Sequence, residues 1–231
     1  MIIRQLYDRD TWTYTYVVAD PDTKEAVIID PVREQFERDT KFINELGFKL
    51  KYIVETHVHA DHVTSSGKLR EQFGAKVVLH EASKASCADI LAKDGESLKL
   101  GNNEVKVLHT PGHTDADITL QIDGAVFTGD ALLIRGCGRT DFQSGSSKAL
   151  YESITHKIFS LPDETLVYPG HDYSGFTVST VGEEKAYNPR LGGSKGLKAF
   201  MNIMDNLKLA PPARIKESLP GNMHCGRVVN Q

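Results

Sequence analysis

The feature that most restricts this chain is a junction. The apolar triplet Tyr52-Ile53-Val54 runs almost directly into Thr56-His57-Val58-His59-Ala60-Asp61-His62. The triplet is short, β-branched and bounded by charge, the pattern of a buried strand. Three histidines and an aspartate then fall within six residues. His57 and His59 are two apart, so an extended backbone points both imidazoles the same way. The chain must turn if Asp61 and His62 are to face a common point. Neutral imidazole and carboxylate are the donor set of zinc, iron and manganese centres, and two nearby sites could share them. A chance cluster in a polar loop is the bland alternative, and the density at a strand end argues against it.

The junction recurs. Val105 to Leu108 leads into His109-Thr110-Pro111-Gly112-His113, Ala125 to Thr128 into Gly129-Asp130, and Leu166-Val167-Tyr168 into Pro169-Gly170-His171. His57, His113, Asp130 and His171 thus follow four separate apolar runs. Strand ends are where a rigid scaffold meets adaptable loop, and functional sites gather there.

Around these junctions the expected elements alternate between strand and helix. Ile2 to Leu6, Tyr14 to Ala19 and Ala26 to Ile29 read as an antiparallel meander, separated by Asp8-Arg9-Asp10 and Asp20-Pro21-Asp22. Helices are expected over Glu34 to Leu46, Ser65 to Phe73 and Ser146 to Phe159, the first two closed by Gly47 and Gly74. Val77-Val78-Leu79 is a strand, and Glu81 to Asp94 is ambiguous, with a short helix one option. Gly101-Asn102-Asn103 and Asp123-Gly124 mark hairpins. Leu197, Phe200, Met201, Met204 and Leu207 recur at helical spacing and read as core. The cluster Glu183-Glu184-Lys185 reads as solvated surface.

Composition narrows the class. The 231 residues suit one domain over 1–231 with a short C-terminal extension, and 40% hydrophobic content suits a buried core. A net charge of −4 with mixed signs offers no nucleic-acid footprint and no attraction to an anionic membrane. No apolar run is long enough to span a bilayer. The first residues, Met1-Ile2-Ile3-Arg4, lack a secretory pattern, so a cytoplasmic location is expected. Cys87, Cys137 and Cys225 are scattered and odd in number, which predicts no disulfide framework and a reducing compartment.

Thr56-His57-Val58-His59-Ala60-Asp61-His62, followed by Pro-Gly-His, Gly-Asp and Gly-His, resembles the metallo-β-lactamase superfamily over roughly residues 50 to 172. The resemblance implies an α/β fold of αββα type: two mixed sheets packed face to face, helices outside, metal at one edge. Gly136-Cys137-Gly138-Arg139-Thr140-Asp141-Phe142-Gln143, with His171-Asp172-Tyr173 and Asn188-Pro189-Arg190, is similar to the persulfide dioxygenases. The competing resemblance is to hydroxyacylglutathione hydrolase (glyoxalase II), which shares a Gly-Cys-Gly-Arg segment and uses two metals. Thr-Asp-Phe-Gln after Arg139 and the short chain beyond His171 lean away from it.

The persulfide dioxygenase resemblance implies one Fe(II) per chain on His57, His113 and Asp130, with glutathione persulfide and O₂ as substrates, and a homodimer. His59, Asp61, His62 and His171 are then orienting groups around one iron, or ligands of a second ion. Arg139 is the candidate for the glutathione carboxylates, because a guanidinium matches a carboxylate bidentately. Its bland alternative is a structural ion pair. Tyr173 is placed near iron or substrate, or else in the core. Cys137 is a packed residue, a redox-sensitive thiol or a substrate neighbour. Cys87 and Cys225 are read as structural.

Overall fold

The computed structural model describes residues 1–212 and 214–227. One six-stranded sheet runs in sequence order: β1 (Ile2–Asp8), β2 (Thr13–Ala19), β3 (Glu25–Ile29), β4 (Lys49–Val54), β5 (Lys76–His80) and β6 (Ile90–Ala92). β1 to β3 form the expected antiparallel meander. β3 to β6 are parallel, and parallel neighbours need crossover connections. The helices α1 (Phe36–Glu45) and α2 (Ser66–Phe73) provide the first two.

The second sheet begins with β7 (Ser97–Leu100), β8 (Asn103–His109), β9 (Ile118–Ile122) and β10 (Ala125–Gly129). A small hairpin, β11 (Leu132–Leu133) with β12 (Gly136–Cys137), and helix α3 (Ser147–Ser153) follow. The chain returns to the sheet through β13 (Leu166–Pro169) and β14 (Ser179–Thr180), then continues as α4 (Val181–Tyr187), α5 (Leu197–Asp205) and α6 (Ile215–Asn222). The spatial order is β14-β13-β10-β9-β8-β7, with only β10 and β13 parallel.

Alternation along the strands builds three apolar layers. Tyr16, Val18, Val27 and Ile29 face between the sheets and meet Val107, Leu120 and Phe127 of the second sheet. Val17, Ala19, Ala26 and Ile28 point outward into a layer with Ile43 and Leu69 of the first two helices. Val126 and Val167 pack outward on Leu150 and Phe200. This is the expected αββα sandwich. It also explains why the central strands read as continuous apolar runs: both faces are covered.

Two expectations are refined and two need correction. The stretch from Glu81 to Asp94 is a single 3₁₀ turn, Glu81–Ser83, and then the edge strand β6 rather than a helix. The helix expected over Ser146 to Phe159 is α3 continued by a π-helical turn, Ile154–Ile158. Glu184 is fully buried rather than solvated, because it lies on the inner face of α4. Finally, Cys87 and Cys225 form a disulfide across 138 residues, with Cα atoms 5.8 Å apart. Linear spacing carries no trace of that contact, which arises because the C-terminal segment folds back onto the outer layer of the first sheet. Cys137 is free and buried. Among the described residues no helix is long and apolar enough to cross a membrane.

Candidate metal centre

The four junctions converge at one edge of the sandwich. β4 delivers the His57 loop from the first sheet, while β8, β10 and β13 deliver His113, Asp130 and His171 from the second. β10 and β13 are parallel neighbours with Gly129 opposite Pro169, which sets Asp130 and His171 side by side. The donor atoms of His57, His113 and Asp130 lie within 4.8 Å of one another.

Each of these three side chains is aimed by a hydrogen bond on its far side. Thr56 Oγ1 donates to Asp30 Oδ2 at 2.8 Å and therefore accepts from His57 Nδ1 at 3.0 Å, leaving Nε2 of His57 free. His113 Nδ1 donates to the Arg139 carbonyl at 2.8 Å, again freeing Nε2. Asp130 Oδ1 accepts from His171 Nδ1 at 2.6 Å, while Oδ2 stands 3.7 Å from His113 Nε2. Partners of this kind set the imidazole tautomer and the ligand orientation in metal sites. Close backbone approach is part of the design. A Cβ on Gly138 would lie 2.3 Å from the Asp130 carbonyl oxygen and 2.9 Å from His113 Cγ, so this loop can cross the site only as glycine.

The electrostatics suit a cation. Burial, with His59 and His113 nearby, pushes His57 well below the usual imidazole range, so it stays neutral as a ligand must. Burial alone would raise the Asp130 carboxyl, but His171 and His113 outweigh it and hold it well below the ordinary carboxylate range. These residues fit a metal: two imidazoles with free Nε2 atoms and an ionised carboxylate, with room opposite.

His59, Asp61 and His62 form a second group with donor atoms within 4.8 Å. They are tied into a proton-rich network. His171 Nε2 donates to Asp61 Oδ2 at 3.0 Å, and His62 Nδ1 reaches the same oxygen at 2.9 Å. Burial disfavours a charged His171, yet Asp130 and Asp61 prevail and hold its pKa well above the usual value. Both ring nitrogens of His171 are thus committed to carboxylates. His59 Nε2 sits 3.0 Å from Asp30 Oδ1 and 3.2 Å from Glu55 Oε2. His59 Nδ1 and His62 Nε2 are buried with no hydrogen-bond partner among the described residues.

The open side is a cavity of about 480 Å³ lined by His113, Asp130, Arg139, His171, Tyr173 and Arg190, among others. Tyr173 stands at its rim, 65% exposed, with its ring parallel to that of His171 at 6.1 Å. Arg139 is on the wall but engaged: Nε and Nη2 bond the two oxygens of Asp141 at 2.7 and 2.8 Å, and Nη1 bonds the Ala210 carbonyl at 2.6 Å. Cys137 packs its sulfur 3.7 Å from that of Met204, and burial pushes its thiol pKa up. The packed reading of Cys137 is the one its surroundings support.

Sequence reasoning missed Asp30, Thr13 and Asn222. Asp30 directly follows the apolar run Ala26 to Ile29, so the strand-end rule would have found it. Thr13 approaches His171 Nε2 at 3.1 Å, and Asn222 holds the backbone of the histidine loop. Neither carries a local signal.

Comparison with known proteins places the chain in a family. The profile of the metallo-beta-lactamase superfamily matches residues 11–171. A human protein named persulfide dioxygenase ETHE1, mitochondrial, is 47% identical over 229 residues, covering 98% of this chain and 89% of that protein. The crystal structure of ETHE1 from Myxococcus xanthus superposes with a TM-score of 0.95 at 50% identity, covering 98% of this chain and 100% of that one. A metallo-beta-lactamase from Staphylococcus aureus superposes at 0.89 with 25% identity, over 100% of this chain and 74% of that one. A chain that matches the superfamily profile over residues 11–171, and a persulfide dioxygenase in both sequence and fold over nearly its whole length, belongs to the metallo-β-lactamase superfamily and, within it, to the persulfide dioxygenases.

Proposed function

We propose that this protein oxidises the terminal sulfur of glutathione persulfide with O₂, at a single Fe(II) held by His57, His113 and Asp130, giving sulfite and glutathione. The balance is GSS⁻ + O₂ + H₂O → GSH + SO₃²⁻ + H⁺. The observation that carries the one-metal reading is His171: both of its nitrogens are spent on Asp61 and Asp130. This supports His171 as the group that orients Asp130. Bound to two imidazoles and a carboxylate on one face, Fe(II) would supply the redox chemistry that lets a persulfide react with O₂, with coordination positions left for both.

The chain's own groups do the rest. Asp130 is clamped by His171, so its second oxygen stays aimed at the metal position. Asp61 and His171 both line the cavity and share a proton between Oδ2 and Nε2. That pair can hold the proton needed when the glutathione sulfur leaves. The Tyr173 hydroxyl, without a protein partner among the described residues, is free to donate toward the substrate at the rim.

The carrier's carboxylates need a cation with donors to spare. Arg139 has spent its own on Asp141 and on the carbonyls of Leu209 and Ala210. Arg190 lines the cavity and uses Nη1 on the Cys137 carbonyl at 2.6 Å, while its Nε and Nη2 have no partner among the described residues. We therefore move the carboxylate contact from Arg139 to Arg190. A charge-assisted hydrogen bond is worth about 1.5–3 kcal/mol. Arg190→Ala is expected to raise KM for glutathione persulfide by roughly 10- to 100-fold with metal content unchanged. An equal loss on a small persulfide without carboxylates would return Arg190 to a purely structural role.

The deciding experiment is metal analysis of protein purified without added metal, paired with oxygen uptake. About one iron per chain, with persulfide-dependent O₂ consumption and sulfite release, is the expected result. Two metal ions per chain and thioester cleavage without O₂ would replace the proposal with the hydrolase reading.

A further inference from the structure

The turn that brings Asp61 and His62 to the centre has an accounting problem. The His59 carbonyl, the His62 carbonyl and the Thr64 N–H lie outside any helix or strand, and among the described residues no backbone group bonds them. Buried main-chain groups must find partners or pay for their absence. All three are satisfied by one side chain from the far end of the chain. Asn222 Nδ2 donates to the His59 and His62 carbonyls, each at 2.8 Å, and Asn222 Oδ1 accepts from Thr64 N at 2.9 Å. Two acceptors on one side and a donor on the other leave no choice in how the amide is oriented.

Asn222 is itself held firmly. It ends α6 and is 4% exposed. The residues just after it are pinned to the same region. Cys225 is disulfide-bonded to Cys87 and its carbonyl accepts from Gly67 N at 2.9 Å, while the Gly226 carbonyl accepts from Arg33 Nη2 at 2.8 Å. The consequence runs inward from there. The turn places Asp61, Asp61 receives His171, and His171 fixes Asp130 Oδ1.

We propose that Asn222 is a positioning residue of the metal centre, acting as a clasp on the turn from His59 to Thr64 so that Asp61 and His171 can aim Asp130. This rests on the metal reading of His57, His113 and Asp130, though not on the identity of the substrate.

The test compares the full-length parent with Asn222→Ala and with the near-isosteric Asn222→Asp, which removes both donors to the carbonyls. Metal-free proteins are titrated with Co(II), reading the visible absorption of the bound ion and its affinity against a chelator. Thermal unfolding of the metal-free proteins is followed in parallel. Losses of this supporting kind typically cost about 10- to 100-fold in metal affinity. Both variants are expected to show that weakening with an altered Co(II) spectrum, beyond any change in metal-free unfolding. Parent-like affinity and spectrum in a folded variant would overturn the proposal, whatever its stability. Should both variants fail to fold, amide exchange in the metal-free parent decides: the Thr64 N–H must be protected, and free exchange there refutes the clasp. A parent that takes up no Co(II) would overturn the metal reading and the clasp together. A parent that binds while the variants bind equally well removes the clasp alone.

Discussion

Alanine at His57 is expected to empty the metal centre. His57 is the most deeply buried of the three proposed ligands, and with its Nδ1 committed to Thr56 it offers Nε2 as a fixed donor that alanine removes outright. Protein–metal binding energies are on the order of 10 kcal/mol, shared among a few donors. Losing one donor of three should therefore weaken the site by roughly two to three orders of magnitude in Kd. His113→Ala and Asp130→Ala should behave alike. Asp61→Ala and His62→Ala should retain more metal while turnover drops ~10- to 100-fold, since these residues act through hydrogen bonds. Metal content after dialysis, measured beside turnover, separates the two groups. If Asp61→Ala loses its metal as completely as His57→Ala, Asp61 belongs in the ligand set and the three-donor assignment is wrong.

The second large effect lies outside the metal centre. Glu184 is fully buried and accepts from four groups: Ser179 Oγ at 2.6 Å, Arg135 N and Asn188 Nδ2 each at 2.9 Å, and the Arg135 guanidinium. Asn188 in turn donates to the Gly136 carbonyl at 3.0 Å, so the network braces the loop that crosses His113. Removing one partner from a buried charged network costs about 3–5 kcal/mol, because the groups left behind are desolvated and unpaired. For a chain of this size each kcal/mol moves Tm by about 2–4 °C, so Glu184→Ala should lower Tm by roughly 10 °C. Glu184→Gln keeps the shape and part of the hydrogen bonding and should lose less. A Glu184→Ala protein that melts with the parent would show that α4 and the Gly136 loop are held by apolar packing alone.

Glu184 also shows where reading the sequence stops. Between Glu183 and Lys185 it looks like one more charge on a solvated helix, and nothing local distinguishes it. Its burial follows from which side of α4 meets the second sheet. Arg139 shows the same limit of local reading. Its type and its place in a glycine-flanked loop suit a carboxylate, but Asp141 and the carbonyls of Leu209 and Ala210 reach it first. The Cys87–Cys225 disulfide is a third case, invisible because 138 residues separate its ends.

What the sequence determined by itself is whatever rests on local pattern. Apolar runs of strand length, broken by turn residues, mark the strands, and a donor just beyond a run marks a candidate site residue, since both signals are written within about ten residues. His57, His113, Asp130 and His171 were therefore legible as candidates in the sequence, as were the meander and the first two helices. The tertiary structure alone decided which donors were already spent, which charge was buried, and which distant side chain completes the turn at the metal. Those outcomes depend on the mutual placement of segments up to about 160 residues apart, as with Asn222 and the His59 to Thr64 turn. Hydrogen bonding is short in reach and strict in direction. Two groups become partners only once the packed sheets have brought them within three ångströms, and no property of either residue in isolation records that they will be.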